Sequence, residues 1–283
     1  MSHRFRKLYA LSLLLLLLTA AVVHHFTERH LRANLEEKLR LVGNTLVSQL
    51  GKKMELTFSG ITSDLILLSR DKHLELHHQN PRDQHNLTML QNSWINFATL
   101  RKHYGQIRFL DRNGIESLRI NYNHAQANIV PPGKLQSKRH RYYFKDVIGL
   151  PPGSIYVSPL DLNIENHQIE LPVKPVIRFA TTVSNAKDEK IGVMLLNYLA
   201  EELLDEFTLA TSGFYGQAML LNQEGYPLIS PDSAQTWNFM FPDSPQSTLY
   251  TRHPSIRRSL MTEQRGQHLT SEGLFTFDHV DPA

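Results

Sequence analysis

Residues 106–122 read QIRFLDRNGIESLRINY. Polar Gln106 and Arg108 alternate with apolar Ile107 and Phe109, and Ser117, Arg119 and Asn121 alternate with Leu118, Ile120 and Tyr122. A period of two puts successive side chains on opposite faces, so each run reads as a half-buried strand. Between them lies Asp111-Arg112-Asn113-Gly114, and its Asn-Gly pair suits a tight hairpin turn. The chain therefore contains antiparallel sheet, joined by a local turn.

Working outward, strand patterns recur at Ile155-Tyr156-Val157, at Val176–Ala180 and at Gly192–Asn197. Loops rich in Pro and Gly separate them, at Pro131-Pro132-Gly133 and Pro151-Pro152-Gly153. A short helix over Leu199–Phe207 closes this unit. The theme then repeats: a strand at Gln217–Asn222, a turn at Gln223-Glu224-Gly225 and a returning strand at Tyr226–Ile229. Two related units in tandem are the simplest account.

Upstream of the hairpin the period changes. Leu31, Leu35, Leu39, Val42, Leu46, Leu50, Met54 and Phe58 recur at spacings of three and four, with Glu36, Glu37, Lys38, Lys52 and Lys53 on other faces. Residues 27 to about 78 are expected to form one long amphipathic helix or two in series. The stripe is long enough to pack on the domain, on a second copy of the chain, or both. His73 and His77 stand one helical turn apart, but two His without a third ligand are weak evidence for metal, and a surface helix is expected there. Asn80-Pro81-Arg82-Asp83 reads as a break.

Before the stripe, residues 8–26 read LYALSLLLLLLTAAVVHHF with no Asp, Glu, Lys or Arg. Nineteen helical residues span roughly 28 Å, close to the hydrocarbon thickness of a bilayer. Arg4, Arg6 and Lys7 favour a cytoplasmic N-terminus, with Arg29 and Arg32 on the far side weakening the bias. Helix continues after the run and no small-x-small cleavage site stands out, so an uncleaved anchor is expected in preference to a signal peptide. Either way, the bulk of the chain is exported.

Composition narrows the function. The 283 residues carry a net charge of +3, too small for a nucleic-acid partner, and the absence of Cys excludes disulfides, Cys-ligated zinc and thiol nucleophiles. No Gly-x-Ser-x-Gly, His-Glu-x-x-His, Walker A or Gly-x-Gly-x-x-Gly pattern occurs. No catalytic residue, metal ligand or cofactor is assigned.

The phrases RFLDRNGIESLRINY, RYYFKDVIGLPPGSIYVSPLDLNIENHQIELPVKPVIRFATTV, GVMLLNYLAEELL and GQAMLLNQEGYPLI resemble the double Cache (tandem PAS-like) extracytoplasmic sensor domains of bacterial diguanylate cyclases and sensor histidine kinases. The resemblance covers roughly residues 30–283. It implies an α+β fold: a transmembrane anchor (1–26), a long helix region (27–90), a membrane-distal module that holds the ligand (91–208) and a membrane-proximal module (209–283). It also implies a second transmembrane helix and a cytoplasmic output domain, so the chain is expected to be part of a longer receptor in the bacterial inner membrane, with its sensor region in the periplasm. A homodimer through the N-terminal helix is expected, and a chemoreceptor or a ligand-free partner-binding ectodomain are the alternatives.

Such a sensor recognises a small solute by a few placed polar groups in an apolar pocket. Candidates are Arg119 in the hairpin, the cluster Arg141, Tyr142 and Tyr143, then Ser158, Asp161 and Asn163 in SPLDLN, and Arg178, which interrupts an apolar strand. A buried charge needs a partner, and Asp161 is the expected partner of Arg178. The alternative is a pair that merely pins a loop. The amino-acid-binding subset of the family carries Arg-x-Trp-Tyr followed by Tyr and Asp. Here His140-Arg141-Tyr142-Tyr143 lacks the first Arg and the Trp, and Ser158 stands where a Tyr is expected. The ligand class left open is a small carboxylate or an amino acid, recognised by arginine.

Overall fold

The computed structural model describes residues 3–165 and 168–282, and the side chains of residues 3–10 and 165 fall outside that description. The basic side chains of Arg4, Arg6 and Lys7 therefore lie outside the described residues. In chain order the elements are α1 (His3–Ser69), α2 (Lys72–Gln79), α3 (Gln84–Arg101), β1 (Tyr104–Asp111), β2 (Glu116–Asn123), β3 (Gln126–Ile129), α4 (Tyr142–Ile148) and β4 (Ile155–Val157). There follow β5 (Asp161–Leu162), β6 (Ile164–Glu165), β7 (Gln168–Ile169), β8 (Pro175–Ser184), β9 (Lys190–Leu199), α5 (Glu201–Thr211), β10 (Leu220–Leu221) and β11 (Pro227–Ile229). The chain closes with α6 (Leu249–Arg252), α7 (Pro254–Thr262), β12 (Arg265–Thr270) and β13 (Gly273–Asp278). This is the expected α+β fold.

The chain divides into two compact units. The larger comprises Leu50–Arg257 with Val280–Ala283. Its centre is an antiparallel sheet in the order β3-β2-β1-β9-β8-β4, with β5 also paired to β8. Alternation along each strand assigns the two faces. One face carries Ile107, Phe109, Leu118, Ile120, Phe179, Met194 and Leu196, which pack with Met54, Phe58, Ile61, Leu65 and Leu68 of α1 and Leu90, Trp94 and Ala98 of α3. The other carries Leu110, Ala180, Val193 and Leu195 against Tyr143, Phe144 and Val147 of α4. β8 and β9 are covered on both faces, hence their nearly unbroken apolar sequence.

Local chemistry sets the element ends. Asp71 and Asp83 cap α2 and α3, accepting from the backbone N–H of His73 and of His85 and Asn86. The hairpin β1–β2 forms as expected, but not through a two-residue turn. Gly114 alone adopts positive φ (+76°), Asp111 and Ile115 close a three-residue loop, and the register shifts by one between Phe109 and Leu110. The Asp111 carboxylate accepts from the N–H of Asn113 and Ile115, both at 2.8 Å, which holds this wider turn. A Cβ at Gly114 would meet Arg139 Cα at 2.8 Å, so the position tolerates only glycine.

Helix runs from His3 to Ser69, then restarts at Lys72, matching two helices in series. The Asp64 carboxylate, 4% exposed, accepts from Arg101 Nη2 and the Tyr104 hydroxyl, both at 2.6 Å, and so ties α1 to α3 and β1. His77 is buried and not on a helix surface, because α2 packs on α3. Among the described residues, no group of three His, Cys, Asp or Glu could hold a metal ion.

The smaller unit comprises Met1–Gln49 and Arg258–His279. It joins the first part of α1 to the β12–β13 hairpin. Gly43 lies under the hairpin: a Cβ there would stand 3.0 Å from Thr276 Oγ1. Gln267 reaches the Arg40 carbonyl at 3.0 Å. In this part of α1, Leu31, Leu35, Leu39 and Val42 are exposed. Among the described residues, one helix is long and apolar enough to cross a membrane, and its most apolar window is wholly unburied.

Candidate ligand-binding site

Opposite the helix-packed face of the large sheet, strand alternation places Arg108 of β1, Arg119 of β2 and Arg178 of β8 on the face that α4 covers. Arg108 and Arg119 are register partners across the β1–β2 ladder, and Arg178 pairs with Asn197 of β9. The three guanidiniums are 9%, 13% and 5% exposed in their side chains, so none is a solvated surface charge.

Two carboxylates answer them. Asp161, at the start of β5, accepts from Arg178 Nη1 at 2.8 Å, the pairing expected from sequence. Glu116, fully buried, receives Arg119 Nη1 at 3.1 Å and the Gln136 N–H at 3.0 Å. Its distance to Arg108 Nε is 3.7 Å, close enough for charge attraction but too long for a hydrogen bond. Arg108 Nη1 instead donates to the Tyr143 hydroxyl at 3.3 Å. The Nε atoms of both Arg108 and Arg119 are shielded from water and have no acceptor.

Aromatic groups fill the space between. The Tyr143 ring lies 5.7 Å from the Arg141 guanidinium and 5.8 Å from that of Arg178, a double cation–π contact. The Tyr142 hydroxyl stands 3.5 Å from both Asp161 Oδ2 and Arg178 Nη1, at the limit of hydrogen bonding, and its side chain is open to solvent. Tyr142 thus borders the Arg178–Asp161 pair on its solvent side.

Electrostatics follow from burial and the surplus of cations. Burial lowers the pKa of Arg108, with Tyr143 and Glu116 opposing. Burial also opposes the charge on Arg178, but Asp161 and Tyr142 outweigh it and raise its pKa. Asp161 is raised by burial, even with Arg178 against it. Lys138 is pushed down by burial and then by Arg108, with Arg119 and Arg141 adding. The three arginines act second to burial, and Glu116 opposes them.

Of the residues singled out by sequence, Arg119, Arg141, Tyr142, Tyr143, Asp161 and Arg178 converge on this cluster. Ser158 serves the backbone beside it: its hydroxyl accepts from the Arg178 N–H at 2.9 Å and its own N–H donates to the Arg178 carbonyl. The Asn163 amide is engaged elsewhere, donating to Glu170 at 2.8 Å in the loop after β5. Sequence reading missed Arg108, Glu116, Lys138 and the pair Asn197–Gln106, joined at 3.0 Å. Arg108 and Gln106 occupy the polar phase of an alternating strand, which reads as a solvent face unless a second covering layer is anticipated. Asn197, lone polar residue at the end of an apolar run, was the available signal.

A family profile for the bacterial histidine kinase sensor domain matches residues 53–283. Among solved structures, the chain is similar to the extracellular domain of vpHK1S-Z8, assigned as a histidine kinase, at 26% identity and TM-score 0.74, covering 87% of each chain. It is similar to a domain assigned to the sensory box/GGDEF family from Vibrio parahaemolyticus, at 25% identity and TM-score 0.75, covering 87% of this chain and 91% of that one. The ligand-binding domain of the Campylobacter jejuni chemoreceptor Tlp3, crystallised with 4-methylisoleucine, shares the fold at 14% identity and TM-score 0.54, covering 77% and 78%. No curated protein matches. The sheet, its helix-packed face and its sensor-domain neighbours agree with the double Cache resemblance and with a signal-transduction role. The chain belongs to the bacterial histidine kinase sensor domain family.

Proposed function

We propose that this sensor domain detects a small carboxylate solute at the Arg108–Arg119–Arg178 cluster. The observation that carries the proposal is the surplus: three buried guanidiniums meet two carboxylates, and two of them keep an Nε–H with no acceptor. Burying cations without full pairing costs several kcal/mol, a cost that an anionic ligand would offset. That the Tlp3 domain of this fold has been crystallised with L-valine supports a small solute. The lost Arg-x-Trp-Tyr pattern argues for a carboxylate over an amino acid.

An incoming carboxylate competes with Asp161 for Arg178. Asp161 opens β5, which is held to the edge of β8 by only two register pairs, Asp161–Val176 and Leu162–Pro175. Displacing Asp161 frees that edge and is the event that biases the receptor between two states. In this reading the distal module (91–208) holds this site, the proximal module (209–283) follows, and the long helix region (27–90) conducts the change. The exposed Leu31, Leu35, Leu39 and Val42 support a homodimer through this helix. The apolar run of α1 supports anchoring in the bacterial inner membrane, with the sensor in the periplasm and a diguanylate cyclase or kinase output in the cytoplasm. The same stripe also suits a ligand-free ectodomain that acts through a partner.

The test is a thermal-shift panel of small carboxylates and amino acids on the chain in nanodiscs. Saturable stabilisation by a carboxylate, lost in Arg178→Ala, is expected. Folded Arg178→Ala and Asp161→Ala proteins that respond like the parent would exclude the site.

A further inference from the structure

At the solvent side of the arginine cluster, Arg141 is a cation without an anion. Its side chain makes no hydrogen bond or ion pair among the described residues and rests on the Tyr143 ring. Its neighbour Arg178 makes its hydrogen bonds through Nη1 alone, to Asp161 at 2.8 Å and to the Tyr142 hydroxyl at 3.5 Å. No nitrogen of either side chain is both shielded from water and unpartnered. The whole fork of Arg141 and the Nε–Nη2 edge of Arg178 therefore reach solvent, unlike the Nε atoms of Arg108 and Arg119. Each is a flat donor array that matches the two oxygens of a carboxylate.

Both cations act on one carboxylate. Burial raises the pKa of Asp161, Arg178 opposes that by charge and hydrogen bond, and Arg141 adds to Arg178. Their guanidinium carbons stand 5.7 and 5.8 Å from the centre of the Tyr143 ring, so they are at most 11.5 Å apart, the sum of the two distances. A bidentate pair sets a guanidinium carbon roughly 4 Å from the carboxyl carbon. Extended succinate holds its own carboxyl carbons about 4 Å apart, so it bridges two such forks across about 12 Å. Backbone bonds hold Arg141 in place: its N–H donates to the Lys138 carbonyl at 2.9 Å and its carbonyl accepts from the Lys145 N–H at 3.3 Å. Residues 117–145 contain six Lys and Arg and no Asp or Glu, so the chain beside Arg141 offers it no carboxylate. The next acid along the chain, Asp146, accepts from the Tyr156 hydroxyl at 3.4 Å. A monocarboxylate that displaces Asp161 exchanges one anion for another on Arg178; a second carboxylate on Arg141 adds a pairing that the ligand-free protein lacks.

We propose that the solute is a dicarboxylate of about four or five carbons, with one carboxylate on Arg178 in place of Asp161 and the other on Arg141. This rests on the reading of the arginine cluster as a carboxylate site and narrows that reading from carboxylates in general to diacids.

Tyr142, beside Arg178, supplies the reporter. The test uses the full chain in nanodiscs labelled with 3-fluorotyrosine, the Tyr142 resonance being assigned by Tyr142→Phe. Probes at constant ionic strength are succinate, butyrate (the same chain length with one carboxylate) and sulfate (two charges on one centre). Succinate is expected to shift the Tyr142 resonance saturably, and to bind about tenfold or more tightly than butyrate or sulfate. Arg141→Gln is expected to bring the ratio of succinate to butyrate affinity down to about one. Arg178→Ala should remove both responses, with the core Tyr104 resonance reporting that each variant is folded. Three results would overturn the dicarboxylate and leave the carboxylate site standing: succinate no tighter than butyrate, sulfate equal to succinate, or an undiminished ratio in folded Arg141→Gln. No saturable response to succinate or to butyrate, or responses unchanged in folded Arg178→Ala, would overturn both.

Discussion

Asp161→Asn separates the two jobs assigned to the Arg178–Asp161 pair. In the ligand-free protein the carboxylate holds a guanidinium that is 5% exposed, across 2.8 Å. Removing one partner of a buried pair typically costs about 3–5 kcal/mol. Asp161 is 23% exposed, the amide oxygen still accepts, and Tyr142 and the Tyr143 ring remain against Arg178, so about 2 kcal/mol is expected here. For a unit of this size that lowers Tm by about 4–8 °C. If a ligand carboxylate competes with Asp161, the same substitution removes the competitor. The variant should then bind its carboxylate about tenfold more tightly or better, and a saturating ligand at about 100 Kd should restore about 2.7 kcal/mol, enough to offset the loss. The assay is chemical and thermal unfolding of parent and variant, each with and without the carboxylate found by panel screening. Equal stability without ligand together with an unchanged carboxylate response would refute both the pairing energy and the displacement mechanism.

Other outcomes follow from neighbouring contacts. Glu116→Gln strips the fully buried carboxylate that faces Arg119 and Arg108, and should destabilise by about 3–5 kcal/mol in urea unfolding, more than Asp161→Asn. Tyr104→Phe removes the 2.6 Å bond to buried Asp64 and should cost about 1–3 kcal/mol without affecting carboxylate binding. Gly43→Val places side-chain atoms against Thr276 of the β12–β13 hairpin; hydrogen exchange of residues 265–278 should rise while the large sheet stays protected. Burial lowers the pKa of His77 and of His103 below the ordinary 6.5. The unfolded chain then binds more protons than the folded one between the lowered values and 6.5. Their contribution to stability is full above pH 6.5 and is lost as pH falls through the folded pKa values. His103→Gln with His77→Gln should flatten that acid limb of the stability profile measured by urea titration.

Periodicity alone determined a good deal. The 3.6-residue stripe marked α1, and its upper residues Met54 and Phe58 are core; the two-residue alternation and the Asp-Arg-Asn-Gly turn marked β1–β2; and the apolar run of residues 8–26 marked the membrane candidate. These signals are local, because a helix or hairpin repeats its burial pattern along its own few turns. The phrases around Arg178 carried the family resemblance, and the chemical need of a buried charge for a partner singled out Asp161. What only the tertiary structure decided was which polar strand residues face water and which face a second layer. Arg108 reads as the wet side of a hairpin until Tyr143 of α4 covers it, and the one-residue bulge at Phe109/Leu110 sets which residues stand opposite one another. Glu116 carries no sequence mark at all, since its significance comes from Arg108, Arg119 and Gln136, which only the bulged hairpin and the loop after it bring around its carboxylate. Alternation specifies a face; only packing specifies what that face meets.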